Sequence, residues 1–243
     1  NKYDNYDLGY SALPIITSAV TIQGNGSTLQ RTGNKDMRLI TVGESGDVTL
    51  DSLTLTGGRN PYYSGGAVYA YQARLTITNC TLTGNSAAGG GALAFTNSEV
   101  AVSGSTFTDN SSYYGGAIYH YYSTLTLAGA TVTGNDAGEG LGGGVFGRGG
   151  EMTVDGSTIG NNEADTGGGL AADYSEVTIH STTLSGNEAG TRGSGGGLYF
   201  LDSQVMLDGV TLSGNAAFYG AGLAALGGTV TLSGGEARDK TSP

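Results

Sequence analysis

Three residues whose side chains can do acid–base or metal chemistry recur at nearly constant spacing. Asp155, His180 and Asp208 are 25 and 28 residues apart. A histidine flanked by two carboxylates can hold a proton or ligate a metal ion. No Ser or Cys column adjoins them in a way that completes a nucleophilic triad. We therefore interpret the three residues as a surface ladder of charges, with a metal site or an acid–base pair as the alternative.

A second acidic group follows a recurring Gly-Asn or Asn turn. Asp136, Glu163 and Glu188 each come directly after the Asn of that turn. If they stack about 5 Å apart on neighbouring strands, their charges repel, and a bound Ca²⁺ ion would relieve the repulsion. Separate solvation of the three carboxylates is the simpler explanation. We predict no cofactor and no metal, and keep Ca²⁺ at this corner as the alternative.

Aromatic residues are concentrated on one side of the predicted structure. The predicted outward positions of one strand column hold Tyr69, Tyr71, Tyr119, Tyr121, Phe146 and Tyr199. The adjacent loops add Tyr62, Tyr63, Tyr113, Tyr114, Phe218 and Tyr219. Tyrosines with an apolar face and a polar tip favour interfaces or stacking on sugars. We predict an interaction face here, with cross-strand stacking on a solvated sheet as the alternative.

Threonines form a further regular array. They are Thr54 and Thr56, Thr81 and Thr83, Thr106 and Thr108, Thr131 and Thr133, then Thr158, Thr183 and Thr211. A flat Thr-x-Thr array resembles the ice-binding face of some β-solenoids. Thr is also a common outward residue of strands, and Gly160, Ser185 and Ser213 interrupt the array at one end.

All of these residues are positioned by a repeat. Seven full units begin at positions 45, 73, 98, 123, 150, 175 and 203, and an incomplete eighth begins at 228. Successive starts differ by 25 to 28 residues. The extra residues always fall in one loop, as expected of a solenoid whose strands must stay in register with their neighbours.

Each unit contains three short segments in which apolar residues alternate with polar ones. One apolar column is Leu55, Leu82, Phe107, Val132, Ile159, Leu184 and Leu212. Alternation with period two puts such residues on one face of each strand. The sequence therefore predicts an all-β solenoid with three short strands in each coil of about 25 residues, and about nine coils.

Two further columns predict how the corners are built. Asn85, Asn110, Asn135, Asn162, Asn187 and Asn215 recur at one turn, where an Asn side chain can bond the backbone and its stacked equivalent. Gly pairs such as Gly65-Gly66 and Gly115-Gly116 recur at another turn and allow positive φ and close backbone approach.

The repeat predicts one domain over residues 1–243. We expect an irregular lead-in over 1–14, a first coil over 15–44, seven full coils over 45–227, and an incomplete coil with a tail over 228–243. We see no polar cap at either end of the solenoid. Either the chain is a fragment of a longer surface protein, or its exposed strand edges pair with other copies and form filaments.

Composition excludes several classes of function. The net charge of −11, with ten scattered Lys and Arg residues, disfavours nucleic acid as a partner. Cys80 is the only cysteine, which excludes an intrachain disulfide and favours a small packed thiol. No run of about 18 apolar residues is present, so we predict no insertion into a membrane.

The repeats resemble a known bacterial group. Phe107-Thr108-Asp109-Asn110 followed by Gly115-Gly116-Ala117-Ile118 resembles the FxxN and GGAI motifs of polymorphic outer-membrane-protein repeats, and Gly65-Gly66-Ala67-Val68 matches the second motif again. The other coils carry Leu, Val or Ile where that family has Phe. The entry segment, from Leu13-Pro14 to Gly24-Asn25-Gly26, is similar to the start of bacterial secreted β-helix repeat proteins. The resemblance implies a right-handed parallel β-helix that is secreted or on the cell surface.

From these features we predict a non-enzymatic extracellular protein, structural or adhesin-like. We expect it to associate with itself through its ends or its tyrosine face, and carbohydrate is a further expected partner. One alternative is a carbohydrate-active enzyme of the pectate-lyase-like β-helix type, which needs clustered carboxylates beside a basic residue. Arg148 and Asp173 share one column, but no acidic cluster accompanies them. The second alternative is an ice-binding protein that uses the Thr-x-Thr ladder.

Overall fold

The computed structural model describes residues 10–238 of the chain. The regular secondary structure in that range consists of β-strands, and the paired strands run parallel. The lead-in predicted over 1–14 includes Tyr3 and Tyr6, which lie outside the described residues, as do residues 239–243 of the predicted tail. No helix within residues 10–238 is long and apolar enough to cross a membrane.

The larger sheet, which we call the corner-spanning sheet, has 12 strands. They are Ala19–Gln23, Ile40–Val42, Asp47–Asp51, Val68–Tyr71, Arg74–Thr78, Leu93–Thr96, Glu99–Ser103, Ile118–Ala128, Val145–Asp155, Leu170–His180, Leu198–Asp208 and Leu223–Ser233. Their registers place equivalent positions of successive repeats directly beside each other, as in the pairing of Leu75 with Val100. The repeat alignment therefore sets the strand register.

The smaller sheet, which we call the threonine sheet, has nine strands, one from each coil. They are Thr28–Gln30, Thr54–Thr56, Thr81–Thr83, Thr106–Thr108, Thr131–Thr133, Thr158–Gly160, Thr183–Ser185, Thr211–Ser213 and Glu236–Arg238. Nine in-register strands confirm the predicted number of coils. At the usual strand spacing of about 4.8 Å, the rod is on the order of 40 Å long.

A third, shorter ladder of strands runs along the loop that holds the extra residues of the longer repeats. No strand was predicted in this loop. Its strands are Arg59–Ser64 with Ser86–Gly89, and Glu163–Ala164 with Glu188–Ala189. Isolated bridges at equivalent positions connect the coils between these strands. This part of each coil therefore also stacks on its neighbours.

The strand boundaries differ from the prediction in the later coils. From Ile118 onward, the third segment of one repeat and the first segment of the next form one strand of 11 residues. Three of these strands bend at one residue with positive φ, such as Tyr122 at 45° and Tyr174 at 52°, and two bend at a Gly pair with positive φ, such as Gly149 and Gly150. The positive φ redirects the chain, and the ladder bonds continue on both sides of the bend.

The interior of the tube is filled by the predicted apolar columns. Leu82, Phe107 and Val132 are fully buried on consecutive coils. The glycine corner permits this close stacking, because a Cβ atom added to Gly116 would lie 2.1 Å from the carbonyl oxygen of Gly143. A side chain at that position would push neighbouring coils apart.

Candidate functional site

The six asparagines of the predicted ladder are buried and bonded from coil to coil. Asn85, Asn110, Asn135, Asn162, Asn187 and Asn215 are each at most 1% exposed. Asn135 is typical: its Nδ2 donates to Oδ1 of Asn162 at 2.9 Å and to the carbonyl oxygen of Phe107 at 3.1 Å. Its own Oδ1 accepts from the backbone N–H and the Nδ2 of Asn110. These amides hold the scaffold together.

A second buried ladder uses hydroxyl groups. Oγ of Ser105 accepts from the backbone N–H of Cys80 at 3.0 Å, and Oγ of Ser157 accepts from that of Ala130 at 3.1 Å. Cys80 is 2% exposed, and burial raises the pKa of its thiol. The thiol is therefore a packed side chain of the core.

The Asp155, His180 and Asp208 column lies on consecutive coils, as its spacing predicts. His180 Nδ1 is 2.7 Å from Oδ1 of Asp155, and Nε2 is 3.5 Å from Oδ2 of Asp208. The hydrogen bond to Asp155 and the charges of both carboxylates raise the pKa of His180. The ring lies between two carboxylates on opposite sides, and each nitrogen faces a different one. This geometry favours a protonated imidazolium over chelation of one ion by all three groups.

A single serine adjoins this column, although no column of Ser or Cys residues does. The hydroxyl of Ser181 lies 3.2 Å from Nε2 of His180, which gives the connectivity of a Ser-His-Asp triad. The backbone at Ser181 has φ of 46°, which turns the hydroxyl back toward the ring of the preceding residue. The neighbouring backbone donors are already used, because Ser181 N–H bonds to Asp208 and Gly209 N–H bonds to Ser233. The side chains are half exposed on the surface, without an oxyanion hole from these donors.

The acidic corner is assembled in the order that the repeats predict. Isolated bridges and a short ladder pair Asp136 with Glu163 and Glu163 with Glu188. One Asp136 carboxylate oxygen accepts from the N–H of Gly138 at 2.6 Å. Within residues 10–238, no three His, Cys, Asp or Glu side chains are grouped so that they could hold a metal ion. Ca²⁺ at this corner stays the untested alternative to separate solvation of the three carboxylates.

The predicted aromatic face is only partly available to a partner. Tyr69, Tyr71, Tyr119 and Tyr199 are half-buried, Tyr121 is exposed, and Phe146 is buried. Phe146 stacks against Tyr119 and Tyr114, with ring centroids 5.7 Å apart in both pairs. Much of the face therefore packs within the protein. The cause is Tyr114, which reaches over the sheet from the corner loop.

The loop aromatics lie along one edge of the rod and are exposed. We call the pairs Tyr62–Tyr63, Tyr113–Tyr114 and Phe218–Tyr219 the aromatic doublets. The rings of Tyr113 and Tyr114 meet edge to face at 4.7 Å, and those of Phe218 and Tyr219 do so at 4.5 Å. The more exposed members are Tyr62 at 84%, Tyr113 at 51% and Tyr219 at 62%. These rings present apolar surface and phenol groups to solvent.

The threonine columns are in register across the threonine sheet. Thr81 pairs with Thr106 and Thr106 with Thr131, and the second column does the same. The pairings of Thr133 with Gly160 and of Gly160 with Ser185 interrupt the second column. The complete two-column array spans four coils, and ice binding by it stays a hypothesis.

Two buried ionisable residues were not among the predicted sites. His120 is fully buried and neither ring nitrogen has a hydrogen-bond partner, so burial lowers its pKa to about 4. Strict alternation from Ile118 places His120 inward, so the sequence did contain that signal. Arg38 is 1% exposed, donates to the carbonyl oxygens of Ser64 at 2.8 Å and Gly65 at 3.3 Å, and lies over the ring of Tyr69. No sequence pattern indicated its burial.

Arg148 and Asp173 pair in register, as predicted, but their side chains have different surroundings. Arg148 is exposed, whereas Asp173 is 7% exposed and its Oδ1 has no hydrogen-bond partner. Burial raises the pKa of Asp173, and the charge of Arg148 opposes that shift. The pair is therefore one exposed cation beside one buried carboxyl group.

The stacked parallel coils and their buried ladders define the protein as a β-solenoid. A family model described as a right handed beta helix region matches residues 38–236, and the chain belongs to that family. The search of curated proteins found no significant match. The β-helix family covers both enzymes and non-enzymes, so membership alone does not decide whether this chain is an enzyme.

Proposed function

We propose that this protein is a non-enzymatic, extracellular β-helix with a structural or adhesive role, and that it holds its partner through the aromatic doublets. The observation that carries the proposal is the row of exposed rings along one edge of a rigid rod. Stacked coils keep these rings at fixed spacing, so little conformational entropy is lost when a partner binds. Exposed tyrosines suit a carbohydrate surface, because the ring stacks on the sugar and the hydroxyl bonds to it.

The test is binding of the purified chain to insoluble polysaccharides, measured by depletion from solution. Replacing Tyr113 and Tyr219 together by Ser should reduce binding at least about tenfold, because each ring supplies on the order of 1 kcal/mol or more. Tyr122 and Tyr174 are exposed to a similar degree on another corner, and their double replacement by Ser is the matched control. Equal loss in both variants, or no binding by the unaltered chain, would contradict the proposal.

Self-association is the second part of the proposal. Leu232 is 70% exposed on the last described coil, whereas Leu207 and Ile179 in the same column are buried. Among the strands of residues 10–238, Leu223–Ser233 pairs only with Leu198–Asp208, and exposed apolar side chains beside such an edge favour pairing with another copy. Negative-stain imaging over a range of concentrations should show rods longer than one chain, and Leu232→Lys should shorten them. Uniform short rods at every concentration would exclude this part.

A further inference from the structure

Both large sheets of the solenoid are open at both ends in the part of the chain that the structure describes. At one end the outermost strands are Ala19–Gln23 and Thr28–Gln30, which belong to the first coil. At the other end they are Leu223–Ser233 and Glu236–Arg238, which belong to the last described coil. Each of these four strands therefore has one backbone edge without a neighbouring strand among residues 10–238.

The outermost strands of the larger sheet lack the charges that usually protect a strand edge. Exposed edges commonly carry charged side chains, which discourage pairing with another chain. Ala19–Gln23 and Leu223–Ser233 contain no charged residue. The strands that stack next on Ala19–Gln23 do contain them, as in Asp47–Asp51 and Arg74–Thr78. The side chains of the two outermost strands therefore do not oppose the addition of a further strand.

The last described coil ends in an apolar hollow of about 220 Å³. Its lining includes Leu207, Leu212, Leu232 and Ala237. Ala237 continues the inward column of Leu212 with a smaller side chain, and Leu232 is 70% exposed. This end of the tube therefore exposes apolar surface of the kind that the inner coils bury.

The first coil carries matching side chains in the same columns. Ile22 stands in the inward column that ends at Leu232, and Leu29 stands in the column that ends at Ala237. Ile22 and Leu29 are only partly buried against the core. If another copy continued the stack, its Ile22 would lie beside Leu232. Its Leu29 would lie beside Ala237, so that a larger side chain meets the smaller one at the hollow.

We propose that the last coil of one copy stacks head to tail on the first coil of the next copy, with parallel strands in the register of the repeat. Ala19–Gln23 then pairs with residues 229–233, and Thr28–Gln30 pairs with Glu236–Arg238. The partner is a second copy of this chain. The inference rests on the proposed self-association and names the two surfaces that meet.

The outward side chains are compatible with this register. The pairs that lie side by side across the contact are Ala19 with Thr229, Thr21 with Thr231, Gln23 with Ser233, Thr28 with Glu236, and Gln30 with Arg238. None of these pairs brings two like charges together.

The direction of the contact follows from the shape of the coil. Joining two like ends about a two-fold axis would make the pairing antiparallel and would reverse the order in which one coil visits its sheets. Only one of the two sheets could then pair with its equivalent. The head-to-tail contact pairs both sheets, and because it is heterologous it repeats into a filament.

Sedimentation of two full-length variants, each with one blocked end, tests the direction of the contact. Leu232→Lys places a charge on the last coil, and Ile22→Lys places one on the first coil. Each variant alone should be monomeric at concentrations at which the unaltered chain forms long rods. An equimolar mixture should form dimers and no longer species, because the intact last coil of one variant fits the intact first coil of the other. Far-UV circular dichroism of each variant checks that it folds.

A second set of variants tests the register without a change to the apolar core. Thr21 and Thr231 are exposed, and the proposed register puts them side by side. A chain with Thr21→Lys and Thr231→Lys should associate about tenfold more weakly than a chain with Thr21→Lys and Thr231→Glu, because like charges directly opposite each other repel. Thr126→Lys with Thr153→Lys is the matched control, since these two residues pair in the same outward column in the middle of the rod. The control should associate as the unaltered chain does.

Three results would overturn the inference: dimers of Leu232→Lys alone, a mixture of the two blocked variants that stays monomeric, or equal association of the Lys–Lys and Lys–Glu chains. If Leu232→Lys abolishes the rods while Ile22→Lys leaves them intact, self-association through the last coil stands and the first coil is not its partner. If the unaltered chain forms no rods at any concentration, self-association itself is rejected together with this contact.

Discussion

The imidazole of His120 stacks on the ring of Phe95 inside the tube, with centroids 5.5 Å apart and an interplanar angle of 12°. Both nitrogens of His120 lack partners, and the ring is fully buried. Protonation would place an unpaired charge in the apolar core, which is why burial lowers the pKa of His120 to about 4. The stability of the fold is therefore coupled to pH at this residue.

The first prediction concerns that coupling. The folded-state pKa of about 4 is below the unfolded value of about 6.5, so the contribution of His120 is complete above pH 6.5 and is lost as pH falls toward 4. The loss should be about 3 kcal/mol in the free energy of unfolding. Urea unfolding of the unaltered chain and of His120→Phe should give curves that diverge over this range. Parallel curves would show that His120 titrates normally.

His180 should make the free energy of unfolding depend on pH in the opposite direction to His120. Its hydrogen bond to Asp155 raises its pKa, so any stabilisation is present below the unfolded value and is lost as pH rises through the folded one. Asp155→Asn should lower the pKa of His180 toward about 6.5, measured by NMR titration of the imidazole C–H signals. Glu151→Gln, on the same strand and outside the column, is the control. An unchanged pKa in Asp155→Asn would refute the assigned cause.

Removing one amide from the Asn ladder should be costly. Asn135→Ala removes the acceptor of the Asn110 N–H and of one Nδ2 hydrogen of Asn110, and it removes the Nδ2 donor that bonds to the carbonyl oxygen of Phe107, all in the buried core. We expect a loss of at least about 3 kcal/mol in the free energy of unfolding, because each unsatisfied group costs about 1 to 3 kcal/mol. Asn34→Ala, at an exposed loop position, should change the free energy by less than about 0.5 kcal/mol. Similar midpoints in urea for the two variants would contradict the role of the ladder.

Gly147 should not tolerate a side chain. A Cβ atom there would lie 2.2 Å from Nε2 of His120 and 2.7 Å from Cε of Met152. Gly147→Ala should destabilise the fold by about 1 to 3 kcal/mol through overpacking. Gly33→Ala is the control, since no atom lies within 4 Å of its added Cβ. His120→Ala should relieve part of the clash, and a double-mutant cycle measures the coupling. Strictly additive effects would mean that the clash does not occur.

Ser181 should not act as a nucleophile, despite its contact with His180. The backbone donors of Ser181 and Gly209 already bond to carbonyl oxygens, so they cannot stabilise an oxyanion. Hydrolysis of an activated ester by the purified chain should therefore be the same, within about twofold, for Ser181→Ala and the unaltered protein. A large loss of hydrolysis in Ser181→Ala, with Ser52→Ala unaffected, would support an enzyme.

Much of the fold follows from the repeat. Positions 25 to 28 residues apart stack because parallel strands pair in register, which is why Asp155, His180 and Asp208 meet as expected. The same reasoning places the Asn column and the apolar columns. It did not predict that Phe146 is buried, because its cover, Tyr114, comes from a loop whose course the period does not specify.

The sequence by itself determined the architecture: the number of coils, the register of their strands and the residues that stack in each column. The repeat carries this information because backbone hydrogen bonds between parallel strands tie each position to its equivalent one coil away. Only the tertiary structure decided which side chains are exposed to a partner and which are packed within the protein. The contact between Ser181 and His180, the burial of Arg38 and the cover of Phe146 by Tyr114 all depend on side chains that differ from coil to coil. Such contacts do not repeat from coil to coil, so the repeat in the sequence does not predict them, and only the folded structure shows them.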